Sequence, residues 1–172
     1  KLIRKGATAG IFGDSIAWLV FSGVVLRCDR VSRGNVPLIA FRDVSAFKLY
    51  LSDVGLLSAF GGITPEGIIR HEMSELYRGS LKENYVAQTL VSGGYELYYW
   101  TSDSPPAEVD FVIQKKGCVV PIEVKSGENV RSKSLKHFSN MYMPEKIIRL
   151  SEKNFGTEGN IDAVPLYAAF CI

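Results

Sequence analysis

Apolar positions along this chain recur in short blocks separated by Gly, Pro, Ser and Asn, and the period within each block predicts an element. Residues 14–22 (DSIAWLVFS) read as a short apolar helix with Asp14 as its N-cap, because an aspartate carboxylate accepts from the free N–H groups of a first turn. Residues 23–31 (GVVLRCDRV) and 36–41 (VPLIAF) read as two strands joined by the turn-rich SRGN, and 47–52 (FKLYLS) as a third. Residues 53–60 (DVGLLSAF) read as a helix stopped by Gly61 and Gly62, with Asp53 as its cap rather than as a ligand. The Gly- and Pro-punctuated segment 61–76 is the expected seam between a helix-plus-hairpin unit, 1–62, and an α/β unit, 63–172.

The second half reads as helix 80–92, strands 96–102, 107–114 and 118–126, helix 132–142, strand 146–152, a loop, and a short apolar end at 163–172. A helix, a three-strand meander, a helix and a returning strand describe a mixed sheet flanked by helices.

The middle of that meander carries the chemistry. If Lys116 and Gly117 form a two-residue turn, Lys115 pairs with Cys118 and Asp110 lies across from Glu123. Alternation then puts Val120, Ile122 and Val124 on one face and Glu123 and Lys125 on the other, with Asp110 opposite to Phe111 and Ile113. Two carboxylates facing each other across a ladder repel unless something neutralises them. A magnesium or manganese ion is the usual remedy, and a lysine beside it could stabilise charge on a phosphate. Against this stands the bland reading, in which Glu-x-Lys is an exposed surface pair worth under about 1 kcal/mol.

Other residues bear weaker readings. Ser80-Leu81-Lys82-Glu83 fits a capping box, which would tie Glu83 to the helix start. Arg131, Lys133, Lys136 and His137 form a basic run whose default is a solvated face. Near a phosphate, its cations would supply sequence-independent nucleic-acid binding. His71 has no evident partner, and Trp18, Trp100, Tyr98 and Tyr99 are assigned to core packing rather than base stacking.

The run EVDFVI followed by PIEVKSG looks like the PD-(D/E)xK motif of restriction-endonuclease-like nucleases. The series FKLYLSDVGLL, GSLKENYVAQTL, YELYYWTSDSPPAEVDFVI, PIEVKSG, SKSLKHF and VPLYAAF resembles the domain of unknown function found C-terminal to the ATPase domain of many prokaryotic AAA-type ATPases. That resemblance implies a winged-helix-like first part and a restriction-endonuclease-like α/β second part. The nuclease motif implies Asp110 and Glu123 as metal ligands, joined by the backbone carbonyl of Val124, with Lys125 as the catalytic lysine. Glu83 matches an additional acidic position of such nucleases, and Mg2+ or Mn2+ is the implied cofactor. Val109 stands where the motif has proline.

Bulk properties narrow the rest. A net charge of +2 permits nucleic-acid binding without implying it. Three scattered cysteines, Cys28, Cys118 and Cys171, fit a reducing compartment rather than a disulfide framework. The longest apolar run is too short to span a bilayer, and the first residues lack the apolar core of a signal peptide, so the expected location is cytoplasmic. The chain lacks an initiator Met and a Gly-x-x-x-x-Gly-Lys-Ser/Thr stretch, so it is expected to be a piece of a longer protein whose ATPase part lies elsewhere. Two functions follow as expectations: a metal-dependent nuclease acting on DNA or RNA, or a non-catalytic domain that binds DNA or a protein on behalf of its ATPase. A third, a protein-interaction module governed by the winged-helix half, has only fold behind it.

Overall fold

The computed structural model describes residues 12–70, 73–125 and 133–172. Helix α1 (Gly13–Phe21) leads into the hairpin β1 (Val25–Val31) and β2 (Arg42–Leu51). Two short helices, α2 (Val54–Phe60) and α3 (Pro65–Ile69), precede the long α4 (Glu75–Ser92). The meander β3 (Tyr98–Asp103), β4 (Pro106–Lys115) and β5 (Cys118–Val124) follows, then α5 (Lys133–Tyr142) and β6 (Ile147–Ser151). The chain closes with β7 (Gly156–Glu158), β8 (Ile161–Pro165) and a 3-10 helix, Leu166–Cys171.

All eight strands belong to one mixed sheet in the order β2-β1-β3-β4-β5-β6-β8-β7. The β3–β4–β5 pairs are antiparallel, whereas β5–β6 and β6–β8 are parallel. A parallel neighbour needs a crossover, and α5 supplies it between β5 and β6. The helix–meander–helix–strand order read from the second half is therefore present.

Each face of the sheet has its own core. Val86, Ala87 and Leu90 of α4, with Ala169 of the last 3-10 helix, cover Phe111, Ile113, Val120, Ile122 and Leu150. Leu135 and Phe138 of α5 cover Val31, Trp100, Val109 and Val112 on the opposite face. Burying side chains such as Phe111 and Ile122 completely contributes roughly 1.5–3 kcal/mol each, so these two layers fix the helices on the sheet. Trp100, Tyr98 and Tyr99 are buried as expected, but Trp18 is 67% exposed, because α1 buries no residue.

Several local readings need correction. Residues 36–41 do not form a strand: Pro37 lacks an N–H and is followed by a 3-10 helix, Leu38–Phe41, that buries Leu38 in the α5-side core. Asp14 sits inside the first turn of α1 rather than at its N-cap, which is Phe12, since the helix starts at Gly13. Asp53 does cap α2, accepting from Leu56 N at 3.0 Å. The segment read as a loop after β6 contains β7, paired antiparallel with β8. His71 lies outside the described residues.

A helix plus hairpin precedes the second half, but the hairpin pairs Val25–Val31 with Arg42–Leu51 rather than with 36–41, and it is continuous with the main sheet. Asp29, Arg30 and Val31 of β1 pair in parallel with Tyr98, Tyr99 and Trp100 of β3. Asn84 of α4, itself buried, clamps β2 by accepting from Leu51 N at 2.8 Å and donating to Leu51 O at 2.9 Å. Limited proteolysis should cut near residues 61–67 before anywhere within 81–124. The two fragments should then elute as one species in gel filtration, because β1 stays hydrogen-bonded to β3; separation would contradict the shared sheet.

Candidate functional site

The site is built on the β4–β5 hairpin. Lys116 and Gly117 both have positive φ, 50° and 80°, the conformation of the tight hairpin turn whose twist matches its strands. Lys115 pairs with Cys118 and the ladder runs without slip to Phe111 opposite Ile122, so the register read from sequence holds up to that point. Asp110 comes next, and its Oδ2 accepts from Val124 N at 2.7 Å, tying the end of β5 to the middle of β4.

On its other side β4 departs from simple alternation. Tyr98 pairs with Val112 and Trp100 with Val109, so two residues, Asp110 and Phe111, stand against Tyr99 alone. This bulge explains why Val109 and Val112, three apart, share the α5-side core while Phe111 joins the α4 side. Strict alternation across 109–113 therefore fails, and with it the expectation that Asp110 points simply away from Phe111. Asp110 instead feels the charges of Glu123, Glu83 and Lys48.

Glu83 reaches this cluster from α4. The helix begins at Glu75 with Ser74 as N-cap, accepting from Tyr77 N at 3.2 Å. Ser80 is thus inside the helix, donating to Leu76 O at 3.1 Å, and the capping-box reading of Ser80 and Glu83 is wrong. Glu83 is free of the backbone role and accepts from Tyr50 Oη at 3.1 Å.

The charged groups are tightly coupled. Glu123 is 4% exposed, its Oε1 paired with the Lys125 ammonium and its Oε2 without a hydrogen-bond partner among the described residues. Lys48 of β2 hydrogen-bonds Glu108 and lies 3.9 Å from Glu83 Oε2. Burial, then the Glu123 and Glu83 charges, push the Asp110 carboxyl up to about 7, against the opposing pull of the Val124 N–H and Lys48.

An orphaned, buried carboxylate oxygen beside a carboxyl that resists ionisation is the donor set a hard divalent cation satisfies. Asp110 and Glu123 fit such an ion. No group of three or more His, Cys, Asp or Glu side chains among the described residues is arranged to hold a metal, so any such site has two carboxylates at most and needs backbone or water oxygens besides.

Asp110, Glu123, Lys125 and Glu83 are thus brought together. Lys133 and Lys136 are exposed on α5, whose start is tied to β4 where Ser134 Oγ accepts from Glu108 N at 3.3 Å. They line a surface cleft of about 510 Å³ together with Asn140, Arg149 and Asn160. Arg131 lies outside the described residues. Lys48, Tyr50 and Glu108 are the members that sequence reasoning missed. The i, i+2 spacing of Lys48 and Tyr50 was the available signal, since it sets both on one face of β2.

These features describe a helix-flanked α/β domain with a carboxylate–lysine cluster on one mixed sheet. The family entitled Domain of unknown function (DUF4143) matches residues 78–169, and a second, Domain of unknown function (DUF8612), matches 1–67. The first match spans more than half of the chain, so the protein belongs to the DUF4143 family, known as a C-terminal domain of AAA-ATPase-like proteins. No curated protein and no solved structure matches it. No helix among the described residues is long and apolar enough to cross a membrane.

The raised Asp110 carboxyl has a measurable sign. An unfolded aspartate ionises near pH 4. Because the folded value is higher, the charge destabilises the metal-free fold increasingly from about pH 4 up to about 7, and by a constant amount above. Asp110→Asn keeps an acceptor for Val124 N and should therefore melt within about a degree of wild type at pH 4 but a few degrees higher at pH 8, in chelator. Equal melting shifts at both pH values would show that Asp110 carries no such burden.

Proposed function

We propose that the chain is the C-terminal part of an AAA-type ATPase and carries a restriction-endonuclease-like domain that hydrolyses phosphodiester bonds in DNA with magnesium or manganese. The observation that carries this reading is the arrangement at one end of the β4–β5 pair. Asp110 Oδ2 is bound to Val124 N, and Glu123, with one oxygen unpartnered among the described residues, is paired to Lys125. The helix–meander–helix–parallel-strand order and the family membership support it.

In this reading Asp110, Glu123 and the Val124 carbonyl would hold the ion, which supplies Lewis-acid polarisation of a phosphate oxygen and a more acidic bound water. Lys125 would leave its pair with Glu123 and turn its ammonium to the negative charge that grows on the phosphate. Glu83, held by Tyr50, would orient water at the edge of the cluster. Lys133 and Lys136 would bind the backbone of DNA, or of RNA, without reading its sequence.

One observation favours the alternative of a non-catalytic domain that binds DNA or a protein for its ATPase: Lys125 and Lys48 already rest on carboxylates of the cluster. Metal binding and cleavage separate the two. Manganese should raise the melting temperature of wild type but not of Asp110→Ala/Glu123→Ala, by mass action on the folded state. In single-turnover assays at fixed salt, Lys125→Ala should slow cleavage by about 10²–10³ and leave DNA affinity nearly unchanged. Wild type that binds DNA yet cuts no plasmid, branched DNA or RNA with either metal would sink the nuclease and leave the binding domain.

A further inference from the structure

We propose that the cleft between α5 and the β6–β8 strands holds one nucleotide of a single-stranded nucleic acid, with Arg149 binding its phosphate at the floor. The inference rests on the nucleic-acid reading above, whose Lys133 and Lys136 stand on this cleft, and names the form of strand the site accepts.

Arg149 is turned into the cleft by its own strand. Ile148 and Leu150, on either side of it, join the α4-side core, so alternation sends Arg149 to the α5 face. Its side chain is only 15% exposed, well shielded for a cation, whereas Lys133 and Lys136 on α5 are exposed. The Glu158 carboxylate lies 3.9 Å from the guanidinium, beyond hydrogen-bond length, and Glu158 itself is 82% exposed on the edge strand β7. A pair of that kind contributes little. It gives way to a phosphate, which meets the planar guanidinium through two parallel N–H bonds.

The ladder fixes where the cleft lies relative to the carboxylates. Glu123 and Arg149 are register partners on the parallel strands β5 and β6. Ile122 and Val124 pack in the α4-side core, so Glu123 also turns to the α5 face. Neighbouring strands lie about 4.8 Å apart, so the cleft adjoins the place where a scissile phosphate would meet Glu123.

The remaining walls suit a base. Leu135 and Ile161 give it apolar surface, and Asn140 and Asn160 carry amides that can bond its polar edge. Asn160 is steadied by donating to Pro144 O at 2.8 Å. The volume, about 510 Å³, is that of a small-ligand pocket. A continuous duplex keeps its bases stacked and paired, so none can enter. Drawing one out costs unstacking and unpairing, least where the strand is already single.

The test is fluorescence anisotropy of the chain with a labelled single-stranded oligonucleotide and with its duplex, in chelator so that nothing is cut, over a range of salt. Wild type should bind the single strand at least about ten-fold more tightly. Arg149→Gln should weaken that binding by roughly ten-fold, the worth of a hydrogen bond to a charged group. It should also lower the slope of log affinity against log salt by about 0.7, the signature of one lost phosphate contact on a single strand. Asn140→Trp fills the cleft from an exposed position and should weaken the single strand but not the duplex. If Arg149→Gln does not fold, Asn140→Trp decides alone. Equal affinity of wild type for the two forms would overturn the inference, as would a folded Arg149→Gln or Asn140→Trp that binds the single strand like wild type. Wild type that binds neither form overturns it together with the nucleic-acid reading. Wild type that shows the expected binding yet never cuts with magnesium or manganese fails elsewhere: the nuclease is lost and the cleft stands.

Discussion

Like charge, packed at one end of a sheet, is the constraint that the surrounding structure answers. Glu83, Glu108, Asp110 and Glu123 come from three separate elements and converge at the end of the β4–β5 pairing away from the turn. Left alone, they would repel one another, and the more strongly the more completely water is excluded. Each nearby feature eases this: the Val124 N–H on Asp110, the Lys125 ammonium on Glu123, the Tyr50 hydroxyl on Glu83, and Lys48 against Glu108. Burial first, and the charges of Glu123 and Glu83 after it, still push the Asp110 carboxyl up to about 7. Structures seldom gather acids this way for stability alone, since apolar residues of similar size would pack more cheaply.

The sequence made the hairpin legible because its signals are local. Lys116-Gly117 is short enough to fix the register, and period-two apolar runs mark both strands. The helix that carries Glu83 was legible in its core but not at its start. Ser80 and Glu83 imitate a capping box, while Ser74, six residues earlier, makes the actual cap. The bulge at Asp110 and Phe111 left no local trace, because it is imposed by pairing with Tyr99 on a neighbouring strand. VPLIAF has a strand's composition, and only the long-range seat of Leu38 in the α5-side core shows why it is not one.

The spacing of Lys48 and Tyr50 marks one face of a strand, but their place in the cluster was illegible for a related reason. FKLYLS announces a strand, yet nothing near it announces that the hairpin will join the far half of the chain. That depends on β1 finding β3 across β2 and three helices, a pairing that buries Val31 and Trp100 and that no turn chemistry announces. The seam at 61–76 is a real change of pattern in the sequence, but hydrogen bonds of the sheet cross it.

Parallel pairing of β1 with β3 also orders events in time. A chain emerging from synthesis N-terminus first presents the β1–β2 hairpin well before its sheet partner exists, and contacts between distant segments are slow to form. The acidic cluster is later still, needing β2, α4, β4 and β5 together. Any incomplete chain that stops short of residue 123 therefore lacks the paired carboxylates altogether. The cluster as a whole can form only once β2, α4, β4 and β5 have all been made.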